Sequence, residues 1–177
     1  MIVRAADLSD PEVLTLLKAH LAGMHAHSPP GSVHALEPDA LRSPDVSLYA
    51  VWEGADLMAI GALQEIDATS AEIKSMRTAA AHLRRGSAAF LLEYLMTIAL
   101  SRGYHRLSLE TGSGPAFEPA LALYRRYGFE NGQAFGGYEA SPFNQFMHLQ
   151  LCPDSDPLGA RPLPADMDRP GQEHSRV

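Results

Sequence analysis

Arg84, Arg85, Gly86 and Ser87 stand together where an extended run gives way to helical spacing. The first N–H groups of a helix lack intrahelical partners and carry a partial positive charge. A small-residue turn with arginines there suits a phosphate or pyrophosphate; a solvated basic turn with a Ser cap is the plain alternative. Two carboxylates, Glu72 and Glu110, fall on extended runs on either side of that helix. Either can accept a proton, directly or through water, if burial raises its pKa toward neutrality, and either is equally at home as an ordinary strand residue. Tyr124 lies on a later helical stretch four residues before Gly128. Its ring suits core packing, and its hydroxyl suits a cleft in which a phenol serves as acid. His20, His25, His27 and His34 cluster near the start of the chain, without a His-Glu-x-x-His helix or a cysteine pair. No metal is expected from them, and they are assigned to a substrate loop or to solvent.

Composition bounds what can position these groups. With 177 residues, 46% apolar and 20% charged, the chain has the material for one folded domain without a covalent staple. Its longest apolar run, about residues 90–100, is interrupted by Glu93 and is too short to cross a bilayer. Cys152 is the only cysteine, which excludes an intramolecular disulfide and a Cys-based zinc site. The start, MIVRAADLSD, lacks the apolar stretch of a signal peptide, so a cytoplasmic location is expected. A net charge of −7 argues against bulk nucleic-acid or membrane-surface binding. Six of the eleven basic residues before residue 153 nevertheless fall within 74–106, which leaves room for a local anion site. Residues 153–177 hold five of the thirteen prolines and no aromatic residue. They read as a flexible tail without chemistry, following a domain at 1–152.

Periodicity then places the elements. A strand at 1–4 precedes a helix whose start is marked by Ser9, Pro11 and Glu12, a Ser-x-x-Glu capping box, and whose apolar stripe runs through Val13, Leu16, Leu17, Leu21 and Met24. Residues 25–44 read as a long loop that meets substrate. Runs at 48–52 and 57–64 form a hairpin, with a third antiparallel strand at 72–78. Helical spacing from Ser87 ends at Gly103, and a strand at 106–110 follows. The helix between them makes the strands at 72–78 and 106–110 parallel neighbours, by the right-handed crossover rule. A helix at 118–127 and a strand at 144–151 complete an α/β (α+β) arrangement.

The strand, Arg85-Gly86 turn and helix, followed by Ala120-x-x-Leu123-Tyr124-x-x-Tyr127-Gly128-Phe129, resemble the GNAT superfamily of N-acetyltransferases over about residues 2–151. The strings SPPGSVHAL, GALQE, EIKSMRT, RLSLETGS and FEPALALYRRYGF are similar to acetyltransferases of the YsnE type. The resemblance implies a mixed, mostly antiparallel twisted sheet of six to seven strands flanked by about four helices. Its central parallel pair would splay at Met76–Thr78 and Leu109–Thr111 to admit acetyl-CoA. It further implies acetyl transfer to the primary amine of a small molecule by direct attack, with no metal. Glu72 is then the first choice of base and Glu110 the second, while Tyr124 protonates the departing thiolate. Backbone groups of Met76, Arg77 and Thr78, together with Thr111, would hold the coenzyme arm, and Arg84, Arg85, Gly86, Ser87, Ala88 and Ala89 its pyrophosphate. His25, His27 and His34 are assigned to the acceptor. Ala88 and Phe90 stand where the usual phosphate motif has small residues, and Phe117 where an asparagine is common. These departures motivate a second reading, a GNAT-fold protein that senses coenzyme or binds a partner without catalysis. Neither nucleic acid nor membrane is an expected partner, and a homodimer is compatible with the family.

Overall fold

Residues 1–151 are described in a computed structural model; the segment at 153–177 expected to be a tail lies outside the described residues. Strand β1 (Ile2–Ala5) leads to helix α1 (Pro11–His27). Asp10, not Ser9, caps that helix, accepting from the Glu12 N–H at 2.8 Å, while the backbone N–H and hydroxyl of Ser9 both donate to Asp7. Pro11 at the first helical position has no N–H to offer, so the first free donor belongs to Glu12 and lies within reach of the residue just before the proline. The helix also runs on through His25 and His27, so the loop begins at Ser28 instead of residue 25.

Strands β2 (Val46–Glu53) and β3 (Asp56–Asp67) form the expected hairpin, turning through Gly54 at φ 63°, a conformation that favours glycine. Then follow β4 (Ser70–Thr78), α2 (Ser87–Ser101), β5 (Arg106–Gly112), α3 (Glu118–Arg126), β6 (Glu130–Asn131) and β7 (Asn144–Gln150). One seven-stranded sheet results, ordered β1-β2-β3-β4-β5-β7-β6. Among the described residues there are three α-helices where about four were expected. The remaining helical segments, Ala40–Arg42 and Ala80–His82, are single 3-10 turns too short to cover a sheet face.

Both faces of the sheet are covered, and alternation along the strands divides the core. Leu48, Ala50, Ile60 and Ala62 meet Val13, Leu16 and Leu17 of α1. Tyr49, Val51 and Leu63 face Leu91, Leu92 and Leu95 of α2, a cluster joined by Leu121 and Tyr124 of α3.

Among the described residues the only parallel pairing, β4 with β5, lasts for three residue pairs, Ser70↔Arg106, Ala71↔Leu107 and Glu72↔Ser108. Its end comes earlier than Met76, where the resemblance placed it. The cause lies on the other side of β4: Ala62 pairs with Lys74 but Ile60 with Arg77, so Gly61 opposes two residues, Ser75 and Met76. Ser75 takes up the extra length at φ 54°. Such a bulge bends the strand and increases its twist, which carries the end of β4 away from β5. Gly61 makes the bulge fit, because a Cβ there would stand 2.5 Å from the Met76 sulfur and 3.0 Å from Leu91.

At the end of β5, a Cβ on Gly112 would stand 2.5 Å from Phe143 and 2.7 Å from Phe117, two rings packed edge to face with centroids 5.5 Å apart. Gly112→Ala is expected to destabilise by about 1–3 kcal/mol through overpacking, a fall of several degrees in Tm that a thermal melt would read. An unchanged Tm would show that the rings part without cost.

Candidate active site

Register decides which side chains share a face. Glu72, Lys74 and Arg77 pair with Gln64, Ala62 and Ile60 respectively, and the last two belong to the α1 side of the core. Glu72 also pairs with Ser108, and Glu110 follows two residues later on the same face. The divergence of β4 from β5 therefore opens a cavity of about 160 Å³ on the α1 side, into which Glu72, Lys74, Ser75 and Glu110 are brought together. His20 and His27 of α1 and Phe117 and Tyr124 of α3 complete its walls. At His34, Glu72 and Lys74 the cavity meets a wider groove of about 820 Å³ lined by the segment 136–141.

Glu72 is 6% exposed and ion-paired with Lys74, Nζ to Oε1 at 2.9 Å. The Tyr138 hydroxyl donates to the same carboxylate oxygen at 2.7 Å and accepts from the Lys74 ammonium. A buried ion pair loses hydration from both ions and holds only if further hydrogen bonds meet their remaining needs, which Tyr138 does here. Glu110 sits differently. Its Oε1 accepts from the Asn144 amide at 3.1 Å, and burial pushes its carboxyl up to about 7, with the Glu72 charge acting in the same direction against Lys74 and Asn144. The two carboxyls on one face thus have different surroundings: Glu72 is tied into an ion pair, while burial raises Glu110 toward neutral pH.

Tyr124 is buried in the cavity wall, its ring 5.7 Å from that of Phe129, and burial raises its hydroxyl well above the usual phenol range. It is therefore protonated at neutral pH and able to donate. Burial, reinforced by the positive charge of Arg77, pushes the His20 imidazole down to about 4. Thr111, Met76 and Arg77 also line the cavity, the Met76 side chain packing toward Gly61 on the α2 side, and His34 meets the Tyr138 ring edge to face at 5.1 Å. His25 is exposed on α1 and is not part of the lining. Thr78, Ala88 and Ala89 lie outside the cavity on half-buried backbone.

The Arg84-to-Ala89 turn stands apart at the start of α2. Gly86, left-handed at φ 83°, occupies the cap position with no side chain capping the helix, so the first N–H groups of α2 are open to an external acceptor. The Ser87 hydroxyl is buried without a hydrogen-bond partner among the described residues. Arg85 is ion-paired with Glu53 and lies 3.1 Å from the His82 ring, whereas Arg84 is exposed at φ 61°. Phe90 packs against the main core. These features fit a diphosphate-bearing ligand whose extended arm would run from this turn into the opening between β4 and β5. No cluster of groups able to hold a metal ion occurs among the described residues.

Three contributors were missed from sequence. Lys74 carried a signal, since it follows Glu72 by two residues on a strand and must share its face. Tyr138 and Asn144 carried none, because a loop brings Tyr138 to Glu72 across 66 residues and β7 brings Asn144 to Glu110 across 34.

The family model described as "Acetyltransferase (GNAT) family" matches residues 13–129, two thirds of the chain. The chain belongs to this family. Among its relatives, the N-acetyltransferase YsnE of Bacillus subtilis, itself uncharacterized, is 44% identical over 151 residues, covering 85% of this chain and all of that one. The likewise uncharacterized N-acetyltransferase YedL of Escherichia coli is 42% identical over 154 residues, 87% of this chain and 97% of the relative. Among solved structures, a GNAT acetyltransferase of Elizabethkingia anophelis with acetyl-CoA bound aligns at a TM-score of 0.63 and 18% identity, over 85% of this chain and 97% of that one. An aminoglycoside 6'-N-acetyltransferase complexed with coenzyme A aligns at 0.67 and 15% identity, over 88% of this chain and all of that one. At those identities the structures bear on the fold, and the family membership makes the chain an acetyltransferase. No helix among the described residues is long and apolar enough to cross a membrane.

Because the folded-state pKa of Glu110 is raised, its protonated form stabilises the fold at low pH, and that contribution is lost as pH rises through about 7. Glu110→Gln keeps an acceptor for Asn144 and removes the charge. It is expected to raise Tm at pH 8.5 by about 2–4 °C, the effect of roughly 1 kcal/mol in a chain of this size, and to leave it nearly unchanged at pH 4.5. An equal shift at both pH values would contradict a raised pKa.

Proposed function

We propose that this family member transfers the acetyl group of acetyl-CoA to the primary amine of a small molecule by direct attack, with Glu110 as the base and Tyr124 as the acid. The observation that carries this reading is the pairing, in one cavity at the divergence of β4 and β5, of a carboxyl poised near pH 7 with a buried, protonated phenol. The amine arrives as an ammonium ion and loses a proton to the Glu110 carboxylate. Its nitrogen then forms a bond to the acetyl carbon, the carbon–sulfur bond breaks, and the Tyr124 hydroxyl supplies a proton to the departing thiolate, while the second proton that the nitrogen sheds as the amide forms passes through water to the Tyr124 phenolate and restores the phenol. N–H groups of the bulged stretch Ser75 to Arg77, which have no β5 partner, are suited to polarise the thioester carbonyl. Glu72, the first choice on resemblance, is displaced to a supporting role because its anion is already satisfied by Lys74 and Tyr138. The Glu72 Oε1 already takes two hydrogen bonds within that network, whereas Glu110 accepts one, from Asn144.

The diphosphate is assigned to Arg84 to Ala89, where the open α2 N-terminus and the unpartnered Ser87 hydroxyl support it. The ion pair of Arg85 with Glu53 is exposed, and such pairs contribute at most about 1 kcal/mol, so its exchange for a phosphate is not prohibitive. Calorimetry with acetyl-CoA tests this assignment. Replacing Arg84 and Arg85 together by Ala is expected to weaken binding by about 1–3 kcal/mol, and unchanged affinity would move the diphosphate elsewhere.

Thiol release across a panel of amines tests the chemistry. With acetyl-CoA saturating and an acceptor of pKa above 9, kcat/KM is expected to rise with pH to a plateau with an apparent pKa near 7. Glu110→Gln should remove that limb and lower the rate about 10² to 10⁴-fold, the usual worth of general base catalysis. Loss of the limb in Glu72→Gln instead would return the base to Glu72. Tyr124→Phe keeps the ring in place and is expected to lower kcat by the same range at an unchanged Tm, whereas a tyrosine that only packs would change kcat less than a few-fold.

A further inference from the structure

Arg77 has a side chain for which the proposed chemistry has no use. Its register with Ile60 aims it at the α1 face, and its guanidinium lies over Gly23, where an added Cβ would stand 3.2 Å from Nη1. It is half-buried, and among the described residues no carboxylate or other acceptor engages it. Lys74, the other cation of the cavity, is held by Glu72 and Tyr138. His20 stays neutral beside Arg77, and the cavity lining contributed by α1 contains no carboxylate. A partly desolvated guanidinium offers a planar fork of donors that matches a carboxylate, and it is at a disadvantage until an anion fills that fork.

Charge complementarity indicates which anion. The diphosphate assignment lies beyond the end of β4 at the start of α2, whereas the Arg77 side chain shares its face with Glu110. A phosphate in this cavity of about 160 Å³ would meet the charges of Glu72 and Glu110. A zwitterion matches the walls, its ammonium facing the carboxyls and its carboxylate facing the arginine. We infer that the acceptor is an amino acid, whose carboxylate is held by the Arg77 guanidinium while its amine faces Glu110. The inference rests on the acetyltransferase reading of this site. The side chain of the acceptor then extends past His34 into the wider groove, where Leu36, Ile66 and Tyr138 offer apolar surface.

The test uses the common L-amino acids, their amides and the corresponding decarboxylated amines with the full-length chain. Each is followed by thiol release at saturating acetyl-CoA and by calorimetric titration without turnover. At least one amino acid is expected to be preferred over its amide and its decarboxylated amine by ten-fold or more in kcat/KM. Arg77→Gln should collapse that preference by at least ten-fold through a higher KM for the acid, and Arg77→Lys should restore part of it. Carboxylate-dependent binding that Arg77→Gln abolishes would support the site even without turnover. Acetylation of amides and plain amines as fast as of the acids would overturn the inference and leave the acetyltransferase reading intact. So would an Arg77→Gln loss that fell equally on acid and amide, or that fell on acetyl-CoA affinity. Failure of every amino acid to bind or react would overturn it as well, and failure of acetyl-CoA itself to bind would tell against the underlying reading.

Discussion

β4 and β5 share only three pairs before they part, and everything that makes this molecule reactive depends on that short ladder. Beyond Glu72 and Ser108 the two central strands each keep one partner, β3 and β7, and turn their other edges toward a common gap. Backbone donors and acceptors inside a fold are normally paired, so a gap of this kind is stable only when something extended or hydrated occupies it. The bulge at Ser75 creates the gap, and Gly61 gives the bulge room. The end of α1 closes it on one side, and α3 brings Phe117 and Tyr124 against its mouth. An extended ligand added to such an edge gains affinity through main-chain hydrogen bonds, which leaves side chains free for chemistry.

The second determinant is how charge is distributed around that gap. Glu72 and Lys74 are both nearly buried, and the pair persists because Tyr138 donates to one and accepts from the other. Tyr138 is itself held by Phe135 and Phe146 and abuts His34. The loop that carries it is thereby joined to the loop after α1 across the face of the sheet. Glu110 has no such pair: its carboxyl accepts from the Asn144 amide, and burial raises it to about 7. Two glutamates on one face therefore differ in their partners, a difference fixed by the loop at 132–143 as much as by either strand.

Much of the fold was legible from the chain because it follows from local rules. The apolar runs of β2 and β3 on either side of a turn, the alternation in β5, the 3.6-residue stripes of α1 and α2 and the left-handed stop at Gly103 are local effects, and the parallel placement of β4 beside β5 follows from crossover handedness. Glu72, Glu110 and Tyr124 were legible as candidates for the same reason, once strands and helices were in order. Errors arose where two local signals competed, as at Asp10, which sits one residue nearer than Ser9 to the first free N–H of α1.

What tertiary structure alone decided is register and reach. The bulge at Ser75 has no glycine to announce it, since the left-handed residue is a serine and the glycine that permits it is Gly61 on the neighbouring strand. The division of labour between Glu72 and Glu110 depends on Tyr138 and Asn144, which are near in space and far along the chain. The sequence by itself determined which groups were present and, up to the bulge at Ser75, on which faces of their own elements they stood; beyond it the bulge sets the face of Arg77. Which of them meet, and which carboxyl is paired and which is not, was decided by burial and by partners that only the packed sheet brings within hydrogen-bonding distance, because desolvation and charge pairing act through space and not along the chain.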